Sequence, residues 1–229
     1  MYSPIFTRLC VLFITAMLVS NIIAAKMISL GSLVVPAAVL VFPIVYILSD
    51  VFSEIYGYKA SRLTAWYAFG ANLLMVVFFK IAVLLPGAPF WSEEAQNAFE
   101  ATLNGTWRIL LASLTAYMAG DFINDVLFKK MKDRQGKKGF GVRAILSSMV
   151  GNAVDSFVFI TIAFWGTPLF SYMVIPSQWG IKMLYEIVLL PLTILVVRKL
   201  RVVEANHIPP HLLHSPNAKA ENMRTFSGD

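Results

Sequence analysis

The sequence predicts an all-α, polytopic membrane protein: a bundle of six transmembrane helices with both termini in the cytoplasm. Three observations carry that prediction. Hydrophobic residues make up 58% of the 229 and charged residues only 14%, against roughly 25% charge in soluble domains. Apolar runs recur along the chain, each reaching the length of about 18 residues or more that a helix needs to cross some 30 Å of hydrocarbon. The Lys and Arg residues collect in alternate loops, which is how orientation is encoded.

The runs place helices over about 6–25, 31–52, 62–85, 107–128, 142–165 and 174–197. The first ends in Ala24 and Ala25, which resemble a signal-peptidase site. Its apolar part is too long for a signal peptide and further spans follow, so it reads as a span. Ala16, Ser20 and Ala24 recur every four positions along it; a stripe of small residues of this kind serves close packing within the chain or docking of a partner. The second run carries Pro36 and Pro43, which kink or break a helix. It leads into "SDVFSEIYGYK", where Gly57 between Tyr56 and Tyr58 reads as a helix stop at the headgroup layer. Residues 1–200 form the expected transporter domain, and 201–229 an expected polar, disordered tail holding His207, His211 and His214 at irregular spacing.

Lys59 and Arg62 follow the second run, Lys129, Lys130, Lys132, Arg134, Lys137, Lys138 and Arg143 separate the fourth from the fifth, and Arg198, Lys199 and Arg201 follow the sixth. The loops "PGAPFWSEEAQNAFEATLNGTW" and "TPLFSYMVIPSQWG" contain neither Lys nor Arg. The positive-inside rule then puts both termini on the cytoplasmic side. It also accounts for the net charge of +6 without a nucleic-acid partner, because the basic residues sit beside hydrophobic runs. Lys26 and Lys80, near outer helix ends, are expected to snorkel. Cys10 is the only cysteine, which excludes an intrachain disulfide and argues against a thiolate metal cluster. No HExxH, GxSxG, P-loop or GxGxxG occurs, so neither an enzyme nor a cofactor is expected.

Ionisable residues inside spans cost about 2.5 to 3.5 kcal/mol at a helix centre, so each raises a functional question. At 1.5 Å per residue, Asp155 lies roughly 20 Å into the fifth run and Glu186 roughly 18 Å into the sixth, near mid-membrane. Asn152 and Asp155 share one helix face, as do Lys182 and Glu186; Asp121, Asn124 and Asp125 form a stripe on the fourth, and Asp50 with Glu54 on the second. Lys182 and Glu186 could neutralise each other along one helix. Asp155 has no basic residue of its own helix within reach, so its partner must come from another helix, from water or from a ligand. Glu54 and Asp125 lie near the cytoplasmic face and are candidates for a gate or proton-coupling role, or for pairing with a nearby base. Four helices directing carboxylates or amides inward describe a polar path through a bundle. Intramembrane aspartyl chemistry by Asp121 and Asp155 has no other support in the sequence, and no inverted repeat relates the two halves by eye.

The ordered set "FPIVYILSDVFSEIYGYKASR", "AGDFINDVLFKKMK", "MVGNAVDSFVFITIAFWG" and "KMLYEIVLLP" resembles the queuosine precursor transporter family, also grouped as the vitamin uptake transporter family, over about residues 10–200. The resemblance implies an inner-membrane importer of 7-cyano-7-deazaguanine or 7-aminomethyl-7-deazaguanine, with matching polar positions at Asp50, Glu54, Gly57, Tyr58, Asp121, Asp125, Gly151, Asn152, Asp155, Lys182 and Glu186. A deazaguanine offers ring N–H and amino donors beside a carbonyl. Glu186 or Asp155 suits the donors, and Asn152 or Lys182 the carbonyl. Phe122, Phe159, Trp165 and Tyr185 are candidate stacking partners. The expected substrate residues are therefore Asn152, Asp155, Lys182, Glu186, Asp50 and Asp121. Two other readings stay open: a substrate-capture subunit that docks on an energising partner, and a membrane scaffold whose acids are structural. A homo-oligomer is compatible with all three.

Overall fold

Ser3 and Pro4 begin the first helix in the way their chemistry dictates: the serine hydroxyl accepts the Phe6 N–H at 3.0 Å, and proline occupies the first helical position, where no N–H is needed. In the computed structural model, which describes residues 3–135 and 140–204, this helix is α1, Pro4–Ile23. A hairpin follows, β1 Met27–Leu30 and β2 Leu33–Pro36, antiparallel, with Met27 opposite Pro36 and Leu30 opposite Leu33. Its two-residue turn needs a positive φ, and Gly31 supplies it at 65°. A 3-10 turn, Ala37–Leu40, leads to α2, Phe42–Val51.

The helix expected over 31–52 is thus only its second half. Pro36 closes β2, and Pro43 sits in the first turn of α2, the one part of a helix that tolerates it. The helix then widens into a π turn, Phe52–Tyr56. Gly57, at φ 81°, ends it as anticipated, and α3, Tyr58–Leu84, starts at the next residue.

The loop expected between the third and fourth spans holds a further helix, α4, Glu93–Leu103. Its signal was local: Ser92 caps it by accepting the Ala95 N–H at 3.1 Å, and Glu93 and Glu94 meet the positive end of the helix dipole. Then come α5, Thr106–Gln135, α6, Phe140–Phe164, and α7, Val174–Glu204, with Pro191 inside it. Arg108 of α5 donates to the carbonyls of Ile162, at 2.5 Å, and of Trp165, so it caps the C-terminal end of α6. Residues 201–204 of the expected tail are the last turn of α7; the three tail histidines and the centre of the basic loop lie outside the described residues.

Among the described residues, four helical stretches are long and apolar enough to cross a membrane: Pro4–Ile23, Lys59–Leu84, Ile145–Phe164 and Val174–Glu204. Leu73, Leu74, Val77 and Phe78 of α3 and Leu184, Ile187, Val188 and Leu195 of α7 face outward. A soluble surface does not sustain apolar area on that scale; hydrocarbon does. The chain is a helical membrane protein.

The chain divides into two compact units, Met1–Leu18 with Val41–Ala71 and Tyr185–Asp229, and Val19–Leu40 with Asn72–Leu184. The core of the first gathers Phe6, Phe13, Leu48, Phe52, Ala60 and Ala68. Phe52 is the pivot: Phe6 and Phe13 meet it edge to face with centroids 5.5 and 5.7 Å away. In the second, Asn21 donates to Asn72 at 2.7 Å, which satisfies two buried amides against each other. Lys80, expected to snorkel, donates to Asn104 and lies 5.9 Å from the Trp107 ring centroid. Ala16, Ser20 and Ala24 of the small-residue stripe are all buried within the chain.

Candidate functional site

The second unit contains a close backbone approach between two polar helices. A Cβ added to Gly120 of α5 would lie 2.9 Å from the Gly151 carbonyl oxygen and 3.0 Å from Asp155 Cβ. One added to Gly151 of α6 would lie 2.9 Å from the Gly120 oxygen and 3.0 Å from Asn124 Cβ. Only glycine allows this approach. Position 120 opposes 155 while 124 opposes 151, so α5 and α6 run antiparallel, and exchanging the two helices leaves the contact unchanged.

The sequence carries the same symmetry. "MAGDFINDVLF", 118–128, and "MVGNAVDSFVF", 149–159, align without a gap. Asp121 then corresponds to Asn152, and Asn124 to Asp155. This is an inverted pair of adjacent helices; a search for similarity between whole halves passes over it, because the repeat is one helix long. Transporters commonly place substrate groups at such pseudo-symmetric contacts.

Asp155 finds the partner its own helix cannot give. Lys182 of α7 donates to its Oδ2, and the two side chains are 8% and 23% exposed for Lys182 and Asp155 respectively. A buried ammonium and carboxylate that face each other avoid most of the desolvation cost each would carry alone. Three residues before Lys182, the Trp179 indole N–H donates to the Met149 carbonyl at 3.1 Å. Met149, Asn152 and Asp155 are spaced three apart, so one stripe of α6 receives one stripe of α7. Asn152, half-buried, reaches back along its own helix to Ser148 Oγ at 3.5 Å. Asp121 is half-buried on α5. The Asp125 side chain lies outside the described residues.

Two fully buried polar atoms in this unit have no hydrogen-bond partner among the described residues: Ser156 Oγ, next to Asp155, and Gln178 Oε1, one turn before Lys182. Sequence reasoning passed over both. Neither is ionisable, and only the structure reveals an unsatisfied buried amide.

The first unit holds the remaining acids. Asp50, at the end of α2, lies within electrostatic reach of Glu186 of α7 and Glu54 of the π turn. All three are exposed. Glu54 is 3.7 Å from Arg201. Glu204, which the sequence did not single out, is wholly buried and accepts from Ser3 Oγ at 2.5 Å and from the Tyr56 hydroxyl. Of the proposed stacking rings, Phe159 is buried, while Phe122 and Trp165 are exposed.

Lipid-facing helices, and a paired Asp–Lys couple beside an inverted helix pair, mark an integral membrane protein with polar groups inside its helices. The chain belongs to the family described as "Putative vitamin uptake transporter", whose model matches residues 36–196, more than half of the 229 and inclusive of all four motifs that suggested the resemblance. No curated protein and no solved structure matches it.

Proposed function

We propose that this protein imports a queuosine precursor, 7-cyano-7-deazaguanine or 7-aminomethyl-7-deazaguanine, across the inner membrane for salvage into tRNA. The observation that carries the reading is the Asp155–Lys182 pair between α6 and α7, with Asn152 on the same stripe. A carboxylate that accepts two adjacent N–H donors, beside an ammonium that donates to a carbonyl, matches the lactam and amino edge of a deazaguanine. The pair is neutral before the ligand arrives. On binding, the heterocycle donors bond to Asp155 and the Lys182 ammonium donates to the ligand carbonyl, with the two charges still adjacent, so each keeps its counter-ion and gains a hydrogen-bond partner.

The topology that goes with this reading has six crossings and cytoplasmic termini. Its shortest crossing is the segment 42–56, about 22 Å long at helical rise, and the exposed acids Asp50 and Glu54 of that segment belong to the inner rim of the path.

The test is a salvage assay in cells unable to make the precursor. Expression of this protein is expected to restore queuosine in tRNA at low external concentrations of at least one of the two compounds, and Asp155→Asn is expected to abolish the rescue. No restoration with either compound sinks the substrate assignment while leaving family membership intact. Purified protein in proteoliposomes is expected to take up the same compound unaided.

A further inference from the structure

We propose that Gln178 is a ligand-recognition residue of this site, its Oε1 accepting an N–H from the heterocycle. The inference rests on the substrate reading above and goes beyond it, since neither the sequence motifs nor the ion pair involves this residue. Gln178 is 1% exposed, and its Oε1 has no partner among the described residues. Folded proteins satisfy the large majority of such atoms, because a buried acceptor without a donor forfeits its hydration for nothing.

Its position says what the missing donor is. Gln178 precedes Lys182 by four residues, so both leave the same face of α7. From that face Lys182 reaches Asp155, and from the adjoining residue Trp179 reaches Met149. Of the three buried atoms without partners among the described residues, the second, Ser156 Oγ, belongs to the residue after Asp155. Gln178 Oε1 thus lies one helical turn from Lys182 of the Asp155–Lys182 pair, and Ser156 is the sequence neighbour of its carboxylate on α6. A site whose fixed groups wait for a ligand has this pattern. An amide oxygen calls for a hydrogen-bond donor, which the ring N–H or amino group of a lactam or amino-substituted heterocycle supplies.

The test uses the purified full chain in detergent, with thermal unfolding and direct binding of 7-cyano-7-deazaguanine measured together. Gln178→Met removes the acceptor at similar volume. It is expected to leave the ligand-free protein at least as heat-stable as wild type, since no internal hydrogen bond is lost, and to weaken ligand binding about tenfold. Gln178→Glu keeps an acceptor at the same place and is expected to bind within about threefold of wild type; it also carries the test if the Met variant does not accumulate. A ligand-free Gln178→Met protein that unfolds several degrees earlier overturns the proposal by revealing an internal partner. Unchanged affinity in Gln178→Met, with wild type binding normally, overturns it and leaves the substrate reading standing. Wild type that binds no 7-deazapurine removes the substrate reading, and the role of Gln178 toward that ligand class falls with it.

Discussion

Asp155 and Glu204 are both acids withdrawn from solvent, and the protein keeps them in opposite ways. Asp155 meets a cation from another helix. Glu204 meets two neutral hydroxyls, those of Ser3 and Tyr56, and its Oε2 has no partner among the described residues. An ion pair can open toward a ligand that brings its own donors and acceptors, since each charged group keeps a hydrogen-bond partner throughout. A carboxyl group held by hydroxyls from α1 and the π turn ties three chain segments together, and it suits a structural clamp. Glu54 shows a third arrangement, an exposed acid beside an arginine, where water does most of the work.

Three substitutions sharpen or break this comparison. The largest effect is expected from Lys182→Met, which strands a half-buried carboxylate: up to about 3 kcal/mol of stability lost in denaturant unfolding. Adding Asp155→Leu is expected to recover most of that stability without recovering transport. If the double variant is no more stable than the single one, the pair is not an isolated couple and the comparison with Glu204 fails. Ser3→Ala comes next, at about 1 to 2 kcal/mol, because it deletes one hydroxyl from Glu204 and the cap of α1 together. A loss as large as that for Lys182→Met would place the two acids in one class. Smallest is Glu54→Gln, expected to shift unfolding by under about 0.5 kcal/mol, with any change in uptake rate then assignable to function and not to folding.

Much of the helical layout was legible because lipid demands long apolar runs, and α1, α3, α6 and α7 follow the expected boundaries within a few residues, apart from the extensions of α3 to Tyr58 and of α7 to Glu204. The run over 31–52 reads as one helix because apolar periodicity does not separate a short apolar strand from a helix; Gly31 and Pro36 are the local signals for the hairpin. The helix α4 was missed because it is amphipathic and no side chain of it is buried, so it left no apolar run to detect. In the site, Asp155 and Lys182 stood out by charge alone. Gln178 did not, because an amide is costly in a membrane protein's interior only when its partner is missing.

The sequence by itself determined that this chain lives in a membrane, which segments can cross it, and that Asp155 must seek its partner outside α6, since these follow from hydropathy, charge and helical spacing. Tertiary structure alone decided that the partner is Lys182, that Gly120 and Gly151 lock α5 and α6 into an inverted pair, and that Gln178 is buried with its acceptor unmet. The physical reason is that periodicity fixes which residues share one helix face, whereas the facing helix is chosen by packing summed over the whole fold.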